Sequence, residues 1–310
     1  MGITTTRWKD QEKATYNDKI NLLTDETKNS FNTLDESKTH YKNIEISKCS
    51  IENNAYSKDK ESIKFEKINF KYTKVRLVSS IINETNEIAI NGYIIVYEKD
   101  NETYYIISRH SDSLNILRSL LDYTGNKEIV DNKITVESDF IIWLIYKFYN
   151  SKNLFAINDD DEEKQTLKIE SIIGFKGDTE DELSRITTDG DTVMNLISSL
   201  AFLLESKKLT SIKLNLRFKN HPKIVFNLNT NGSINIDIDE YIGPFVKLGE
   251  DEKISKLLLL VYLEIMPLLS EWYEEDLSNK NWGDNVYNEF LDRLIKDIEE
   301  KVSQKKSQNN

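Results

Sequence analysis

Apolar and polar positions follow two rhythms along this chain, and the switches between them mark out its elements. From Ile63 to Ile82, and again through EIAINGYIIVYEKDNETYYIIS (87–108), the pattern is that of strands rich in Ile, Val and Tyr. The second stretch reads as a hairpin turning at Lys99-Asp100-Asn101-Glu102. Leu114, Leu117, Leu120 and Leu121 then recur at helical spacing behind Ser111, Asp112 and Ser113, residues suited to cap a first turn. SDFIIWLIYKFYN (138–150) predicts a buried helix capped by Ser138 or Asp139. An apolar strand is expected over 167–175 and a helix from Asp191 to about Ser206.

Three strands near 210–218, 223–229 and 233–239 follow, with strict alternation. Ile212, Leu214, Leu216 and Phe218 fall on one face, Lys213, Asn215 and Arg217 on the other, so the predicted meander has one buried and one polar side. Asn231-Gly232 between the last two suits a type I′ turn. ISKLLLLVYLEIMPLL predicts a core helix ending near Pro267, because proline cannot continue a helical ladder. Residues 284–303 predict an amphipathic helix with Val286, Phe290, Leu294, Ile298 and Val302 along one side.

The fold class expected is therefore α+β: an N-terminal β-hairpin and helix region, then a C-terminal unit of helix, three-stranded antiparallel meander and two helices. Residues 1–62 are polar and weakly specified. The divisions expected are that region, an α+β domain over 63–157, an acidic loop or linker over 158–166 containing DDDEE, and an α+β domain with C-terminal helices over 167–310.

Composition narrows the chemistry. Twelve Phe, fifteen Tyr and four Trp in 310 residues are too many for a disordered chain. The net charge of −12 opposes general binding to nucleic acid or an anionic membrane, leaving only local basic patches for that role. One cysteine and three widely spaced histidines supply no disulfide and no thiolate or imidazole zinc pattern. No segment reads as a secretion signal or a membrane span, and a cytoplasmic location is expected.

Four clusters are candidates. Arg109, His110 and Ser111 lie at a strand-to-helix junction, where an arginine and free N–H groups could hold an anion or ligand. Lys213 and Arg217, on the polar face of the meander, are further candidates for such a role. In IKFEKINFKYTKVR, Lys71, Tyr72, Lys74 and Arg76 put basic groups beside aromatic ones, a pattern that can meet phosphates and stack on bases. Asp237 and Asp239, at i, i+2 spacing, and Asp131, two residues before Lys133, could hold a divalent cation. Each has a structural alternative: a capped junction, an edge strand guarded by lysines, or a solvated face of compensating charges.

The Walker, dinucleotide-binding and nucleophile-elbow motifs are missing from the sequence. The leading expectation is a non-enzymatic cytoplasmic binding or assembly subunit, an accessory component of a microbial multi-protein system, with a protein partner or self-association and no membrane. A metal-dependent nuclease or phosphodiesterase using aspartates is the alternative, and local nucleic-acid binding through 63–76 a second. No cofactor is expected, apart from a divalent metal under the first alternative.

Overall fold

The computed structural model describes residues 3–25, 30–31, 39–58, 61–79, 84–109, 111–125, 127–156, 166–179, 185–189 and 197–307. They form two compact units, one of Ile3–Ile134 with Lys247–Leu259, the other of Thr135–Val246 with Leu260–Asn310. Helix 138–150, grouped by sequence with the hairpin, thus belongs to the second unit. The expected linker 158–166 lies, but for Thr166, outside the described residues.

The first unit contains β1 (Ile3–Asp10), α1 (Tyr16–Leu23), β2 (Ser30–Phe31), β3 (Thr39–Lys48), β4 (Ala55–Lys58), β5 (Glu61–Ser79), β6 (Glu84–Lys99), β7 (Glu102–Ile107), α2 (Ser113–Leu120) and β8 (Ile129–Asp131). Among the described residues its strands pair antiparallel: β1 takes β7 and β8, and β7-β6-β5-β3-β2 continue from it, with β4 along β5. One buried cluster joins α1 and α2 to the sheet, through Leu23, Leu117 and Leu120 against Ile68, Tyr72, Ile94 and Tyr105. Asp100 and Asn101 both have positive φ, as the two-residue turn between β6 and β7 requires.

Within 1–62, the described stretch 3–25 is better specified than its hydropathy suggests. Thr5 and Thr6, adjacent on β1, are both fully buried, so both faces of the strand are covered there, and Thr6 shares its face with the buried Trp8. Threonine is a good strand former but registers as polar, and it is satisfied here by bonds: the Thr6 hydroxyl donates to the Arg109 carbonyl (2.8 Å) and accepts from the Trp8 indole (3.0 Å). Helix α1 starts with a capping box between Thr15 and Asp18.

The second unit contains α3 (Ser138–Tyr149), β9 (Leu154–Ala156), β10 (Thr166–Thr179), β11 (Arg185–Asp189), α4 (Ile197–Glu205), β12 (Ser206–Phe218), β13 (His221–Asn229) and β14 (Ile234–Ile236). β10 pairs with β9, β11 and β12, and β12-β13-β14 form the expected meander, its inward Ile, Leu and Phe all buried. A helical run follows: α5 (Glu250–Leu260), a π-helical turn (Val261–Ile265), and α6 (Met266–Ser278); α7 (Asp284–Ser307) is the last element. The first ten residues of α5 fall within the first unit.

Several local expectations are corrected. Pro267 does not end its helix, because it sits in the first turn of α6 behind the π turn, where the Met266 N–H bonds back to the Val261 carbonyl. The Asn231-Gly232 turn is not type I′: Gly232 has φ 75° but Asn231 is not in the positive region. The Gly232 N–H donates to the Asn229 carbonyl (2.9 Å), giving a type I turn with glycine as the left-handed bulge. Glu137, not Ser138 or Asp139, occupies the N-cap of α3. Tertiary donors claim both expected caps: Ser138 Oγ accepts from the Leu209 N–H (2.8 Å), and Asp139 from the Trp282 indole (2.8 Å). β14 stops at Ile236 rather than 239, and the expected start of the 191–206 helix lies outside the described residues.

Candidate functional site

The junction singled out by sequence is built by the end of β7 and the start of α2. Gly92 on β6 faces it, and the reason for glycine is steric: a Cβ there would run into the Phe70 ring. The Ser108 hydroxyl fills the remaining space and accepts from the Tyr93 N–H (2.7 Å). The next side chain, Arg109, turns onto Asp112, with Nε to Oδ1 and Nη2 to Oδ2 both at 2.9 Å. Asp112 also has Lys74 Nζ at 3.7 Å and the Tyr72 hydroxyl at 3.4 Å. Burial alone would raise its pKa, but Arg109 and Lys74 outweigh that and hold the carboxyl below its ordinary range.

The Arg109 fork is therefore matched by a carboxylate from its own chain. Asp112 occupies the N-cap position of α2 without making a side-chain cap bond, because its oxygens face Arg109. Ser111 is exposed, and His110 lies outside the described residues.

Immediately beside this junction runs the β5–β6 ribbon, in continuous register from Phe65↔Tyr97 to Leu77↔Thr85. Ile94, Ile95, Val96 and Tyr97 are all buried, so both faces of β6 are covered there. Further out, Asn86, Glu87, Ile88 and Ala89 are all exposed, and Ile88 retains 51% of its surface. Four consecutive exposed residues on a strand mean that both faces are wet, so the ribbon leaves the core at this point. Lys74 pairs across to Ile88, and β3 lies along the other side through Tyr41↔Lys74 and His40↔Val75.

The basic aromatic strand is thus part of the ribbon, but its rings face inward. Phe65, Phe70 and Tyr72 are buried, and a ring without an exposed face cannot stack on a base. Lys71 is exposed, with Glu45 at 3.5 Å; the backbone of Arg76 pairs with Thr39 and Asn86, and its side chain lies outside the described set.

The remaining candidates lie apart. Lys213 faces Asp237 at 3.8 Å, and Arg217 faces Glu170 at 3.2 Å, as compensating charges on the polar side of the meander. Asp239 is exposed beyond the end of β14. Asp131 binds both the side chain and the N–H of Lys133, each at 2.8 Å. Among the described residues no three His, Cys, Asp or Glu side chains gather as a metal site would require.

Sequence reasoning missed a buried lysine. Lys67 lies among the inward residues of β5, its ammonium 2.5 Å from Asp251, 3.0 Å from the Asn69 carbonyl oxygen and 4.6 Å from the centre of the Tyr93 ring. Asp251 also lines a cavity of about 390 Å³ formed by residues 50–52 and 247–252. The available signal was alternation: Ile63, Phe65 and Lys67 share one side of the strand, so the lysine stands where an apolar residue is expected. No protein-family model and no curated protein matches the chain. Among the described residues no helix is long and apolar enough to cross a membrane.

Proposed function

We propose that this protein is a non-enzymatic binding or assembly subunit that engages a protein partner through the outer part of the β5–β6 ribbon. The observation that carries this reading is the exposure of both faces of β6 over Asn86–Ala89, with Ile88 presented to solvent. An apolar side chain on a wet, two-faced ribbon stabilises little at home and offers area to a partner. Charges of both signs, Lys71 and Lys74 against Glu45 and Glu87, suit a mixed protein surface better than the uniform charge of a phosphate backbone.

The test is a photo-crosslinking residue placed at Ile88 in the native host, with the exposed α7 position Asn288 as control. A discrete protein adduct at 88 that is missing at 288, and that disappears when Glu87 and Ala89 are replaced by lysine, supports the proposal. Equal labelling at the two positions, or none at 88, removes it.

A further inference from the structure

Helix α2 has an arginine near each end, and the two are treated differently. Arg109 presents its Nε/Nη2 edge to Asp112, with two bonds of 2.9 Å. Arg118, in the last turn, is 8% exposed, and the same two atoms, Nε and Nη2, are shielded from solvent with no hydrogen-bond partner among the described residues. This edge is the planar fork that carboxylates and phosphates match with two parallel bonds. A guanidinium cannot discard its proton, so burial leaves it charged and in need of an acceptor.

Among the described residues no group supplies a hydrogen-bond acceptor to that edge, and the nearby Glu128 charge acts on it without bonding it. The helix C-terminus favours a cation nearby through its dipole, but its carbonyls leave the edge unfilled. The Tyr123 N–H donates to the Arg118 carbonyl (2.9 Å), turning the chain back on the last turn of the helix. In the loop that follows, the Glu128 carboxylate accepts from the N–H groups of Gly125 and Lys127. Desolvation would raise its pKa, but these bonds and the Arg118 charge hold it below its ordinary range, and no hydrogen bond joins it to the Nε and Nη2 edge. Asp122, Thr124, Gly125 and Lys127 are exposed, and Lys127 adds a second cation to this stretch, which the Arg118 charge reaches through Glu128.

We propose that Arg118 anchors an oxyanion site at the C-terminal end of α2, receiving a phosphate or carboxylate group on its Nε and Nη2 edge. The test is thermal denaturation of the full chain in chloride buffer at constant ionic strength, titrated with inorganic phosphate in one arm and acetate in the other, for wild type and Arg118→Met. The wild-type Tm should rise saturably with the preferred anion, since a ligand bound only by the native state stabilises it. Arg118→Met should melt above the wild type in chloride and show no saturable response. A larger response to phosphate assigns a tetrahedral ligand group, and a larger response to acetate a carboxylate. Equal responses of the two proteins to both anions overturn the proposal. Should Arg118→Met fail to fold, calorimetric titration of the wild type decides: saturable heat with either anion, weakened in Arg118→Lys, supports the site, and its lack with both overturns it.

Discussion

The two units bury their carboxylates in different ways. In the first, Asp10 pairs with Lys19 at 3.0 Å, and both side chains are almost inaccessible, at 0% and 3%. Asp10 also accepts from the Tyr105 and Tyr123 hydroxyls and from the Glu12 N–H (2.8 Å), while Lys19 donates to the Glu12 carbonyl (2.9 Å). Burial, and after it the Asp10 charge, pushes both phenols well above the ordinary tyrosine range, so they remain donors. In the second unit Asp276 accepts from the Trp143 indole and the Lys147 ammonium, each at 2.8 Å, close enough to the surface for water to help. Trp143 packs in turn against Tyr273, edge-on at 5.4 Å, and against Phe140, tilted at 5.6 Å, and Phe140 meets Tyr273 edge-on at 5.2 Å. The first unit thus depends on a closed ion pair and the second on aromatic burial with a polar fringe. Loss of one partner should be felt very differently in the two.

The largest effect is expected from Lys19→Met, which leaves Asp10 buried without its cation and should cost about 3–5 kcal/mol by urea unfolding. The double variant Asp10→Asn/Lys19→Met should recover much of that loss; a double variant as unstable as the single one would break the ion-pair account. Next comes the aromatic unit. Phe290 meets Tyr146 and Tyr149 edge-on at 5.7 and 5.5 Å, and Leu294 is fully buried one turn on, so α7 docks on its own unit through its first half. Leu294→Ala should cost about 2–3 kcal/mol, at the low end for a buried leucine because a terminal helix can adjust. An unchanged melt would show that α7 contributes little to its unit.

Gly232→Val forces a branched residue into positive φ and should destabilise the meander by about 1–3 kcal/mol; amide exchange in β13 and β14 would report it first. Lys147→Met should cost only about 1 kcal/mol, since Asp276 retains its indole donor. The smallest effect at neutral pH belongs to His221→Gln. Burial, then the Lys219 charge, lowers the His221 pKa to about 4, so the fold holds the neutral ring, with Nδ1 2.7 Å from the Tyr241 hydroxyl. Its contribution is complete above the unfolded value of about 6.5 and is lost as pH falls from there toward about 4. The variant should therefore flatten the stability profile across that window, and parallel profiles would refute the assignment.

Much of the second unit is legible in the sequence because its buried positions are Ile, Leu, Phe and Trp at a fixed period. The 212–218 alternation states which side faces inward, the 138–149 run is apolar nearly all round and buried, and the 284–302 stripe is buried at Phe290 and Leu294 but exposed at Val302. At the junction, Arg109 and the helix after it could be read, but not the purpose of Asp112. A capping residue and an arginine's partner look alike until the chain turns back. The rings of 63–76 were visible, but not their direction: alternation separates two faces without saying which is wet, and here both are covered along part of β5.

Residues 3–23 mark the limit. Thr15 and Asp18 announce the start of α1 on their own, since a cap is satisfied within four residues. Nothing local announces that Asp10 and Lys19 are interior. That depends on two tyrosines about a hundred residues away, because a buried charge is tolerable only where distant donors and acceptors converge on it. Periodicity and caps are properties of neighbouring residues and can be read along the chain, whereas the pairing of polar groups is a property of position in space and is settled when the sheet closes.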